Sequence, residues 1–152
     1  MIRIITDSTN DLDAKTIKEH NIMVLPLYVN FSDASFKDGE DITTPELYEL
    51  VRKKNELPKT AAIPMQTFVE VFSKLVAEGD EILFTGISKQ MSRTYENAVL
   101  AAKEVAEDKI FIVDSMNLST GIGLLVLKAC KYRDQGLSAK NIADKLNQDN
   151  KR

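Results

Sequence analysis

A chain of 152 residues is long enough for one ordinary hydrophobic core and too short for two comfortable ones. Its 43 % hydrophobic and 28 % charged residues describe a soluble globular protein, and a net charge of −3 with no basic patch argues against nucleic acid as a partner. The lone cysteine, Cys130, and the lone histidine, His20, exclude a disulfide framework and leave metal chemistry without its usual ligands, which fits a reducing, cytoplasmic setting.

Met1 to Thr6 reads as a strand delivering Asp7, Ser8 and Thr9 to its carboxyl end. Arg3 and Asp7 interrupt this run, so no signal peptide is read here. Asp11 and Leu12 then open a weakly amphipathic helix through Ile17 to His20, with Asn21 as its stop. Ile22 to Phe31 reads as a second strand, which Pro26 marks as an edge or bulged one. Lys37, Asp38 and Gly39 signal a turn.

Thr44, Pro45 and Glu46 start a helix with a capping hydroxyl followed by proline, and that helix turns basic at Arg52, Lys53 and Lys54. Leu57 to Pro64 reads as a linker. The spacing of Phe68, Val71, Phe72, Leu75 and Val76 predicts an amphipathic helix that ends at Gly79.

The centre of the chain is Ile82 to Ala102. Ile82, Leu83, Phe84 and Ile87 form a compact apolar run, as expected of a parallel strand covered on both faces. After a polar turn, Tyr95, Ala98, Val99, Ala102, Val105 and Ala106 share one helical face. Ser92 stands at the expected N-cap, and Ser88 lies just beyond the strand. Local physics leaves two readings open. Both serines simply cap and turn, or, with the unpaired amides of the helix start, they flank an anion site.

Ile110 to Val113 reads as a further strand, again delivering an acid and a hydroxyl, Asp114 and Ser115. Ser119 or Thr120 begins a helix from Gly121 to Arg133, closed by Gly136. Ile122 to Leu127 is its longest apolar run, too short to span a membrane. The run is apolar nearly all round, so either a homo-oligomer buries it or the last helix, around Ile142 and Leu146, folds back over it. Ser138 caps that last helix, and Asn147 to Arg152 is expected to be a polar tail.

Strands alternating with helices predict one α/β domain over residues 1–152, an open and mainly parallel sheet with helices on both faces. In such sheets ligands bind outside the carboxyl ends of the strands, where Asp7 with Ser8, Ser88, and Asp114 with Ser115 are delivered. No P-loop lysine motif or dinucleotide glycine fingerprint is present. A hydrolase or phosphotransferase built on Asp7 or Ser92 lacks a base and a metal set. The residues suit binding a carboxylate or phosphate, and catalysis is not expected.

The motifs then fall into an order that resembles the DegV family, including the fatty-acid-binding subunits called FakB. The family's TDS-T-x-DL is matched by Thr6 to Leu12, its P-L-x-V by Pro26 to Val29, and its aromatic with D-G by Phe36 to Gly39. Its P-x-T-S-Q-P-like loop corresponds to Pro58 to Ala62, and its S-x-x-x-S-G-T-Y-x-S-A signature to Ser88 through Ala98. Val113-Asp114-Ser115 and Ser119 to Gly123 complete the set.

The resemblance implies a DegV-type N-terminal domain that binds a long-chain fatty acid and presents its carboxylate to an ATP-dependent fatty acid kinase, with no cofactor and no catalysis of its own. Thr60 and Ser92 carry over as carboxylate contacts, within an implied ligand set of Thr60, Ala61, Ser88, Ser92, Arg93 and Thr94. Ala61 stands where the family has serine. Arg93 stands where it has glycine, and either pairs with the carboxylate or occludes the turn. Family members are nearly twice this long; their second α/β domain walls much of the acyl tunnel and adds a carboxylate-binding histidine. Walls matter, since a fully buried chain of ~16 carbons contributes on the order of 10 kcal/mol at about 0.8 kcal/mol per methylene. The alternative is an interaction or remnant module that binds no lipid.

Overall fold

The computed structural model describes residues 1–150. Its main sheet has four parallel strands in the order β2-β1-β6-β7: β1 is Ile2–Asp7, β2 Met23–Leu25, β6 Glu81–Gly86 and β7 Ile110–Asp114. The expected open parallel sheet with helices on both faces is the observed architecture. Side-chain alternation along the strands separates two cores. Ile5, Ile82 and Phe84 face α3 (Met65–Ala77) and α4 (Thr94–Val105), where Phe68 packs on Phe84 with ring centroids 5.1 Å apart and on Phe72 at 5.4 Å. Ile4, Leu83 and Val113 face α5 (Thr120–Asp134) and α6 (Ala139–Asp149).

The stretch from Ile22 to Phe31 is not one strand. It breaks at Pro26, which lacks the N–H that a continuing ladder needs. Met23–Leu25 stays in the parallel sheet, while Tyr28–Asn30 becomes β3, the centre of a separate antiparallel sheet in the order β4-β3-β5. Its flanking strands are β4, Ser35–Lys37, and β5, Lys59–Ala61. The expected linker at Leu57 to Pro64 therefore contains a paired strand. At three residues each, these strands are too short for an alternating pattern to reveal.

Several helix starts shift by a residue or more. A short 3₁₀ turn, Ser8–Asn10, follows β1, and α1 is Ala14–Glu19, capped by Asp13, whose carboxylate accepts the Thr16 N–H at 2.9 Å. Helix α2 is Thr44–Lys54 with Thr43, not Thr44, at its cap, and Glu46 accepts the Thr43 N–H at 2.7 Å. At the other end, Lys54 pairs with Asp33 at 2.6 Å. Asn21 and Gly79, read as stops, both take the left-handed conformation, as does Gly136 after α5.

The apolar run of α5 is covered by the chain itself. Ile122, Leu125 and Val126 lie in one buried cluster with Ile142, Ala143 and Leu146 of α6, and of the large hydrophobics in the run only Leu124 is exposed. The fold-back arrangement is the one present, which removes the uncovered helix as a reason to expect a homo-oligomer. The tail expected from Asn147 is helical through Asp149; Lys151 and Arg152 lie outside the described residues. No helix among the described residues is long and apolar enough to cross a membrane.

Candidate functional site

Two cavities open at the carboxyl end of the main sheet. The larger, about 870 Å³, lies by the first 3₁₀ turn and α1; its charged lining is Asp11, Lys18, Asp38 and Glu40. Three carboxylates against one ammonium disfavour an anion there. The smaller, about 410 Å³, is lined by Leu27, by Thr60 to Ala62 of β5 and its exit, and by Ile87 and Lys89 to Arg93 of the β6–α4 loop. Its charged lining is Lys89 and Arg93, both cationic. Of the two cavities, the smaller is the one whose charged lining residues are cations alone.

The chain brings this cavity together through the start of α4. Ile63 donates its N–H to the Thr94 hydroxyl at 3.3 Å, and Asn97 donates its side-chain amide to the Ile63 carbonyl at 2.8 Å. These bonds dock the loop after β5 against α4, so Thr60 and Ser92 line one cavity although 32 positions separate them. Ser92 is not the N-cap. That position falls to Arg93, which has helical φ and ψ, while the Ser92 hydroxyl accepts the Thr94 N–H at 3.2 Å and bonds the Thr94 hydroxyl at 2.9 Å.

The implied ligand set divides accordingly. Thr60, Ala61, Ser92 and Arg93 line the cavity. Thr94 is fully buried behind it and holds Ser92 and Ile63. Ser88 is buried within the loop, where its hydroxyl accepts the Gln90 N–H at 3.3 Å and its carbonyl accepts the Met91 and Ser92 amides at 2.9 and 3.1 Å. The Arg93 side chain is 84 % exposed and pairs with Glu96 at 3.6 Å, so it is not enclosed within the cavity. Lys89 lies 3.7 Å from Asp114.

Leu27 and Lys89 fall inside the Pro26–Val29 and Ser88–Ala98 motifs, but neither is among the expected ligand residues, because the break at Pro26 and the path of the β6–α4 loop leave no periodic signal. Nor did sequence reasoning see what Asp7 does. Its carboxylate is fully buried: Oδ1 accepts the Thr9 N–H at 2.9 Å and the Thr9 hydroxyl at 2.6 Å, and Oδ2 accepts the Ile87 N–H at 2.7 Å. Burial pushes this carboxyl above its ordinary range, although the bonds from Thr9 and Ile87 oppose the shift. Among the described residues no group of His, Cys, Asp and Glu is arranged to hold a metal ion.

Known proteins share the family motif order and the fold. Residues 1–152 match the family described as "Uncharacterised protein, DegV family". A DegV domain-containing protein of Clostridium perfringens is 35 % identical over 145 residues, 95 % of this chain and 52 % of that protein. The chain spans about half the length of the curated relatives it matches. A DegV family protein from Thermus thermophilus, described by its fatty acid binding, superposes with a TM-score of 0.88 at 33 % identity, over 99 % of this chain and 53 % of that one. DegV from Bacillus subtilis, a fatty acid binding protein, superposes at 0.89 with 27 % identity, over 99 % and 54 %.

Proposed function

This chain belongs to the DegV family, and from that premise we propose that it is a fatty-acid-binding module whose smaller cavity receives the acyl carboxylate. The observation that carries the reading is the lining itself: two hydroxyls on separate elements, Thr60 and Ser92, with two cations, Lys89 and Arg93, and no acid. Fatty acid binding by the Thermus thermophilus and Bacillus subtilis relatives supports it. Thr60 and Ser92 donate to the carboxylate, Arg93 and Lys89 supply favourable charge at the mouth, and Thr94 holds Ser92 in place. Charge-assisted hydrogen bonds of this kind contribute about 1.5–3 kcal/mol each. The cavity grips the headgroup, and most of the affinity for a long acyl chain comes from whatever walls enclose its methylenes.

The same reading assigns no catalysis. The hydroxyls face an anion without a histidine among the cavity's lining residues, and the bound carboxylate is the group that an ATP-dependent fatty acid kinase in the cytoplasm would phosphorylate. The test is direct. Organic extraction of the purified chain followed by mass spectrometry is expected to release a long-chain fatty acid, and calorimetric titration with oleate is expected to give saturable binding that Thr60→Val and Ser92→Ala weaken. A chain that carries no lipid and takes up no oleate is instead an interaction module without lipid binding.

A further inference from the structure

The end of β1 holds both walls of the smaller cavity without lining it. Asp7 and Ser8 are absent from its surface, yet each grips one wall residue through a backbone amide. Asp7 Oδ2 accepts the Ile87 N–H at 2.7 Å, and Ser8 Oγ accepts the Leu27 N–H at 3.1 Å. Ile87 opens the loop that carries Ser92, and Leu27 begins the segment after the break at Pro26. The approach at Asp7 is close enough that a Cβ on Gly86 would sit 2.1 Å from Oδ2. We infer that Asp7 and Ser8 form a two-armed clamp that positions the anion cavity, one arm fixing the Ser92 loop and the other the Leu27 wall, without touching the ligand. This rests on the carboxylate-binding reading above.

Only a carboxylate serves at position 7. Its two oxygens accept from two different backbone amides, those of Thr9 and Ile87. Asparagine has one acceptor oxygen, so either rotamer sets an NH₂ group against one of those N–H groups. The substitution also removes a negative charge from beside an anion site. Simple electrostatics therefore predicts tighter binding of a carboxylate by Asp7→Asn, whereas loss of the clamp predicts weaker binding. The sign separates the two roles.

The experiment compares wild type, Asp7→Asn, Ser8→Ala and Thr9→Val by NMR amide exchange and by calorimetric titration with oleate. Thr9→Val removes a hydroxyl bond to the same carboxylate but neither wall contact. Expected are exchange at least tenfold faster for the Ile87 amide in Asp7→Asn and for the Leu27 amide in Ser8→Ala, with Ile4 and Leu83 unchanged. The oleate Kd should rise at least fivefold in both, and not in Thr9→Val. Unchanged protection of Ile87 and Leu27, or an Asp7→Asn variant that binds oleate as tightly as wild type or tighter, overturns the clamp. Should Asp7→Asn fail to fold, Ser8→Ala decides through Leu27. Should wild type take up no oleate, the carboxylate reading falls, while exchange at Ile87 and Leu27 still decides whether the clamp exists.

Discussion

Replacing Gly86 with alanine probes the junction of β6 with the buried carboxylate. The glycine's φ is not positive, so the backbone accepts any residue and the obstacle is steric. The added Cβ would meet Asp7 Oδ2 at 2.1 Å, Asp7 Cγ at 2.9 Å and Phe84 Cζ at 2.9 Å. Overpacking a well-filled interior costs about 1–3 kcal/mol. Displacing the carboxylate also leaves the Ile87 N–H without its acceptor, which costs about 1–3 kcal/mol more for a buried group. Together the loss is about 4 kcal/mol, and for a chain of this size that lowers Tm by roughly 8–16 °C. Urea unfolding followed by circular dichroism measures it. Gly39→Ala is the control: φ is +78° with no atom within 4 Å of the added Cβ, so only backbone strain of about 1–2 kcal/mol applies. A Gly86→Ala loss no larger than that of Gly39→Ala, with the Ile87 amide still protected, would refute the reasoning.

Leu146→Ala, at a fully buried position of α6 facing Ile122 and Val126, should cost about 2–5 kcal/mol. Light scattering at micromolar concentration should show wild type monomeric, and the variant, its α5 face loosened, associating as it warms. Thr60→Val should weaken oleate binding about tenfold, one lost hydrogen bond to a charged group, while leaving Tm unchanged because Thr60 is exposed. Two aspartates should respond to pH with opposite sign. Asp80 is held below the usual carboxylate range by its hydrogen bond from Arg3 and by the N-terminal ammonium, so its contribution is present above the unfolded value and lost as pH falls through the native one. Asp7 is raised, so its contribution is complete below the unfolded value and lost as pH rises through the native one. Urea midpoints from pH 3 to 7 should show the deficit of Asp80→Asn growing with pH; a deficit that shrinks would reverse the assignment.

The parallel sheet was legible because its central strands are continuous apolar runs, and Ile82 to Phe84 buried on both faces is the clearest of them. The small antiparallel sheet was not. Lys59, Thr60 and Ala61 carry no alternation, and their pairing is set by β3, about thirty positions away. Pro26 was visible as an interruption, but not as a change of sheet; beyond it the Leu27 amide is accepted by Ser8, a contact no local pattern encodes. Within the cavity, Thr60, Ala61, Ser92 and Arg93 were reached through the family motifs rather than from periodicity. Asp7 was noticed as a strand end, and only the fold reveals the Ile87 amide at its second oxygen.

The strand order sets a schedule for folding. β1 lies between β2, which follows it closely in sequence, and β6, which is reached only after the whole small sheet and α3. The connection from β1 to β6 is roughly five times as long as that to β2, which adds about 1.4 kcal/mol of loop-closure entropy to the pairing that completes the centre of the sheet. During synthesis at about 5–20 residues per second, the β1–β2 pair waits roughly 3–12 s with one edge of β1 unpaired. Ile4 and Ile5, fully buried in the finished protein, are exposed throughout that interval. An aggregation-prone edge therefore exists in the nascent chain that the native state lacks, and substitutions that slow β6 from docking should reduce soluble yield more than their effect on native stability implies.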